Sequence, residues 1–82
     1  MVLTVAMEEF LRFVLDRLVE HPEEVIITAT EQDQRVLLKV EMRKSEVGKL
    51  IGRNGQVIQA IRHLLAAAAA RHGKRVVIEV VE

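Results

Sequence analysis

The 82-residue chain has no cysteine, tryptophan or tyrosine, and only two phenylalanines and one proline. Without cysteine there are no disulfides, thiolate zinc sites or thiol nucleophiles. With Phe10 and Phe13 as the sole aromatics, both in an acidic segment, a sheet that stacks bases on aromatic rings is excluded. Long apolar runs are missing too: the longest, residues 64–70, falls far short of the ~20 residues that span a bilayer. The chain opens without the basic segment, apolar stretch and small-residue cleavage site of a secretory signal, so the cytoplasm is the expected compartment. Ser45 is the single serine, and no serine, histidine and acid arrangement suggests itself. The three histidines, His21, His63 and His72, are scattered. Nine helical positions put His63 and His72 more than two turns apart, too far to share a metal. Neither a metal, nor a cofactor, nor catalysis is expected.

What the chain does have is one domain's worth of apolar residues, 50%, and 29% charge. Acids and bases are equal at twelve each, yet they are not mixed. Residues 1–34 hold eight acids and two bases, a balance of −6. Residues 35–75 hold ten bases and two acids, a balance of +8. A zero total therefore conceals one basic region, which hints at a polyanionic partner.

Periodicity predicts the elements. Met7, Phe10, Leu11, Val14 and Leu18 recur at steps of three and four, the stripe of an amphipathic helix over residues 4–20. Phe10 is a candidate for its core face, and Phe13 for the core or for a partner contact. Glu8 and Glu9 suit the first turns of such a helix through its dipole, and His21-Pro22 stops it. Residues 25–31 are rich in β-branched side chains, and residues 34–42 alternate, so an antiparallel hairpin turning at Gln32-Asp33 is expected. Ser45 is placed to cap a short helix over 46–51. A long helix follows over 56–72, with Ile58, Ile61, Leu65 and Ala68 on one face and Gly73 ending it. Residues 75–81 alternate again, as a last strand.

The predicted order is α-β-β-α-α-β, an α+β fold of two layers. Helices cover one face of a three-stranded mixed sheet, because the third strand must run parallel to one strand of the hairpin. The segments are an N-terminal helix (1–21), a hairpin (24–42), a helix–turn–helix (45–72) and a strand (74–82), all one domain.

The turn between the two later helices carries the chemistry. It reads Ile51-Gly52-Arg53-Asn54-Gly55, with Ile58 and Ile61 three and six positions beyond the second glycine. A lone pair of glycines two residues apart is usually an ordinary tight turn. Other phosphate motifs fail on spacing: a P-loop counted from Gly48 would need its Gly-Lys-Ser/Thr where Arg53 stands, and a dinucleotide fingerprint would need glycine at Leu50. Glycines without Cβ let phosphates approach the main chain, where the following helix presents free N–H groups. Arg53 would add charge and Asn54 a donor, with Lys49 and Arg62 bordering the track.

This stretch resembles the K-homology (KH) signature, Ile-Gly-x-x-Gly-x-x-Ile-x-x-Ile, at every defining position. The element order is similar to the type II arrangement. Length, Pro22, the alanine-rich stretch and Lys74-Arg75-Val76 resemble the small bacterial single-KH RNA-binding proteins of the KhpA family. The resemblance implies a single-stranded RNA-binding protein, an RNA chaperone or post-transcriptional regulator, whose loop clamps about four nucleotides. It implies RNA contacts at Lys49, Ile51, Gly52, Arg53, Asn54, Gly55, Ile58 and Arg62. Ile51, Ile58 and a sheet residue such as Val40 would line an apolar groove for bases, with Ile61 mainly in the core. It also implies a homodimer or a larger KH-containing partner, and no membrane. The alternative is a KH fold used as a protein-interaction scaffold without RNA. Ile26, Leu37, Val77 and Val81, on the sheet face away from the helices, would be unusual left in water.

Overall fold

The computed structural model describes residues 2–81; Met1 and Glu82, the outermost positions of the predicted first and last segments, lie outside them. The chain runs α1 (Val2–Leu18), β1 (Ile26–Gln32), β2 (Arg35–Glu41), α2 (Lys44–Ile51), α3 (Gln56–Ala70) and β3 (Arg75–Val81). A 3-10 turn, Pro22–Glu24, follows α1. This is the predicted α+β order. The sheet order is β1-β2-β3, with β1 antiparallel and β3 parallel to the central strand. The mixed sheet follows from the connections: a tight turn reverses the chain after β1, whereas two helices return it before β3.

The hairpin closes one residue later than expected. Gln32 pairs with Arg35, so Asp33-Gln34 form the turn, and Asp33 takes the left-handed conformation at φ 54°. Aspartate tolerates that region better than glutamine does. Every second residue of β2, Val36, Leu38 and Val40, is buried under the helices. They meet Met7, Leu11 and Leu15 of α1, Val19 just after it, and Ile58, Ile61, Leu65 and Ala69 of α3 in one core. Each such aliphatic side chain contributes roughly 1.5–3 kcal/mol by leaving water.

Three local expectations are corrected. Phe10 is 37% exposed and Phe13 is exposed as well; Leu15 and Val19 take the core positions. Arg17 stacks on the Phe13 ring, 3.7 Å from its centroid, which shields it in part. Because α1 starts at Val2, Glu8 and Glu9 lie beyond its first turn. Ser45 lies inside α2, whose N-cap is Arg43 and carries no side-chain cap bond.

Polar ties hold the layers. The Arg12 guanidinium donates to the carbonyls of Val25 (2.8 Å) and Pro22 (3.3 Å), fastening α1 to the start of β1. Glu31 accepts from Thr4 Oγ1 (2.7 Å) and pairs with Lys74 Nζ (2.5 Å), joining α1, β1 and the start of β3. Lys74, with Thr4 adding to it, holds the Glu31 carboxyl down to about 2. A carboxylate more acidic in the folded chain stabilises it fully above its ordinary value near 4.5, and loses that effect as pH falls toward 2. Thermal unfolding between pH 5 and 2 is therefore expected to show Tm falling across this window. Glu31→Gln, which cannot ionise, should flatten the fall; an unchanged slope would exclude Glu31 as a source.

Candidate nucleic-acid interface

Residues 52–55 turn the chain from α2 into α3 using three positive φ angles. Gly52 has φ 78° and ψ 178°, Asn54 φ 56°, and Gly55 φ 74°. The Gly52 N–H donates to the Gly48 carbonyl (2.9 Å), ending α2, and the Gly55 N–H donates to the Gly52 carbonyl (3.2 Å). Glycine is obligatory at the first position for a second reason. A Cβ on Gly52 would lie 2.7 Å from Val57 Cβ and 3.0 Å from Val57 N. The packing of Val57 against a bare backbone therefore sets how closely the loop folds onto α3. Around Gly55 there is open space.

The helix that follows suits an anion. No side chain caps the start of α3, and no acid stands in its first turn. The Gln56 N–H donates back to the Arg53 carbonyl, the N–H groups after it have no partner within the helix, and the dipole is positive at that end. Arg53 and Asn54 are both exposed at the tip.

The fold divides the basic half of the chain into committed and uncommitted cations. Arg43 grips both carboxylate oxygens of Glu24, at 3.0 and 2.5 Å. Lys49 lies 3.3 Å from Glu20 and 3.7 Å from Glu46, and Lys74 is taken by Glu31. Acids of the N-terminal part thus neutralise three of the ten bases. Among the described residues, Arg35, Lys39, Lys44, Arg53, Arg62, Arg71 and Arg75 make no ion pair.

The predicted site residues fall into three groups. Gly52, Arg53, Asn54 and Gly55 form the loop, with half-buried Ile51 just before it and exposed Arg62 two turns into α3. Lys49 is one turn before the loop but is held between two acids. Ile58 is 4% exposed and Val40 fully buried, so both lie in the core and leave no surface for a base. Half-buried Val57, beside Gly52, stands where Ile58 was expected. Nothing in the spacing singled it out, because the signature marks the isoleucine that follows.

Glu46 was also overlooked. It is buried on α2; one oxygen accepts the Glu20 N–H and the other has no hydrogen-bond partner. Burial pushes its carboxyl up, but the Glu20 N–H, His21 and Lys49 outweigh this and hold it below its ordinary value. It anchors the loop-bearing helix to the end of α1. Nearby, His21, Glu23 and Glu24 bring donor atoms within 4.8 Å of one another. Since Arg43 occupies both oxygens of Glu24, this group is poorly suited to a metal. No described helix is long and apolar enough to cross a membrane.

Comparison with known proteins identifies the family. The family model of the KhpA/KhpB KH domain matches residues 8–80. The RNA-binding protein KhpA of Chlamydia pneumoniae is 38% identical over 76 residues, covering 93% of this chain and 97% of its own. That of Listeria monocytogenes is 36% identical over 76 residues, covering 93% of this chain and its own full length. That of Borreliella burgdorferi is 36% identical over 74 residues, 90% of each chain. With the loop and the element order of this fold in place, the chain belongs to the KhpA/KhpB KH-domain family.

Proposed function

We propose that the protein binds single-stranded RNA by seating the phosphate backbone on the Gly52-Arg53-Asn54-Gly55 loop. One observation carries the reading. Two glycines bare the main chain beside an uncapped helix start, with an unpaired arginine at the tip. Half-buried Ile51 and Val57 supply the apolar wall for bases, a role that core-bound Ile58 and Val40 do not fill. The activity is binding without catalysis, as befits relatives named RNA-binding proteins. An RNA chaperone or post-transcriptional regulator in the cytoplasm fits that activity.

With about three phosphates engaged, the log–log dependence on salt should have a slope near −2. Fourfold more salt then weakens binding to an unstructured oligouridylate by about twentyfold. Salt-independent affinity, or preference for duplex RNA, would rule the reading out.

The protein also associates, in this proposal, with a second copy or a larger KH-containing partner. Four nucleotides give little selectivity, and joined sites raise avidity. Exposed apolar side chains support this: Phe10 and Leu64 border a groove between α1 and α3, while Ile26 and Val77 lie on the outer sheet face. Light scattering at micromolar concentration should give a mass above 9.3 kDa, or a pull-down a KH partner. A strict monomer without a partner would refute association.

A further inference from the structure

Arg35 opens β2 and Arg75 opens β3, and the parallel register sets them directly opposite each other. Both side chains are exposed, and both belong to the alternating set that faces away from the helices. Neighbouring strands lie ~4.8 Å apart, so directly opposed positions of one face carry two like charges, an arrangement that costs stability. Among the described residues, no carboxylate pairs with either arginine. The acids nearest in sequence are the turn residue Asp33, Glu31, which Lys74 occupies, and Glu79, two outward positions further along β3. Gln32, Asp33, Gln34, Arg35 and Arg75 line an open depression of about 550 Å³ at this end of the sheet. Exposed Arg71 lies in the turn leading to it. Counting Arg35, Arg71 and Arg75 against Asp33, this end keeps a local charge of +2.

The 15 residues of α3 separate this end from the loop by ~22 Å. Stacked nucleotides advance ~3.4 Å each, so the gap corresponds to roughly six of them. A tetranucleotide seated on the loop ends short of the pair, while a strand of twelve passes it.

Resting on the proposed RNA binding at the loop, we infer that Arg35 and Arg75 form a second phosphate contact, engaged by RNA longer than the loop's four nucleotides. Two arginines that repel each other in the free protein are relieved when a phosphodiester lies between them. The cost of the pair becomes affinity for longer strands.

The test compares oligouridylates of four and twelve nucleotides on the full chain. The variants are Arg35→Gln with Arg75→Gln, Arg53→Asp with Asn54→Asp, and Arg17→Glu as a control of equal charge change on α1. Losing this one phosphate contact should weaken the twelve-mer about fivefold at 0.1 M salt and reduce the salt slope by about 0.7. The four-mer should change less than twofold, Tm should hold or rise, and the control should bind both RNAs normally. Equal losses on both lengths, or no loss on the twelve-mer, would overturn the second contact. If the loop variant keeps the twelve-mer while the Arg35/Arg75 variant loses it, the loop reading fails and this one stands. Wild-type protein that binds neither RNA refutes both.

Discussion

Replacing Arg53 and Asn54 together by aspartate is expected to remove on the order of a hundredfold in single-stranded RNA affinity while the fold persists. The loss has two sources. One cationic contact to phosphate is worth roughly fivefold at 0.1 M salt through counterion release. Two carboxylates in its place repel passing phosphates by about 1 kcal/mol each at ~4 Å in water. The fold should survive because Gly52 and Gly55 stay, and both replaced side chains are exposed. Asn54 sits at φ 56°, a conformation aspartate also tolerates. A control of comparable charge change must avoid Arg12, whose guanidinium ties α1 to Val25 and Pro22. Exposed Arg17 stacks on Phe13 and donates to its carbonyl within the same helix, so Arg17→Glu changes charge at little structural cost. Binding titrations and circular dichroism decide the matter. A folded loop variant with full affinity would end the loop-based mechanism, and equal losses in variant and control would reduce it to diffuse electrostatics.

Gly52→Ala should be the most damaging single-methyl change in the chain. At φ 78° and ψ 178° the residue occupies a region almost confined to glycine, a penalty of about 1–3 kcal/mol for any Cβ. That Cβ would also press on Val57, whose N is fixed by α3 at 3.0 Å. Together these predict a cost of about 3 kcal/mol and, for a domain of this size, a Tm lower by roughly 12–24 °C. The other glycines give the comparison. Gly55→Ala carries the left-handed strain but meets open space, so about 1 kcal/mol is expected. Gly48 lies inside α2 with nothing within 4 Å, and alanine there should stabilise by about 0.5–1 kcal/mol. Thermal melts of the three variants must follow that order. A Gly52→Ala chain as stable as wild type would show that Val57 does not set the loop.

Much of this was legible without coordinates, for reasons of range. Strand alternation in residues 36–41 and 75–81 depends on neighbours two apart, and it set which side chains point inward. The mixed sheet followed from one short and one long connection. The loop was readable because its chemistry sits within four consecutive residues.

The tertiary structure decided what depends on distant partners. The first helix carries apolar residues on two adjacent stripes, and only the position of the sheet chose Leu15, with Val19 just past the helix, over Phe10. Lys49 and Lys74 read as free cations in the sequence; the fold brings Glu20 and Glu31 to them from 29 and 43 positions away. Ile58 fitted both the signature and the apolar face of its helix; the fold buries it and leaves Val57 half-buried beside Gly52. Local pattern determines which elements form and where the chain turns. Burial and charge neutralisation are set by contacts across the sequence, so the final list of available side chains belongs to the tertiary structure.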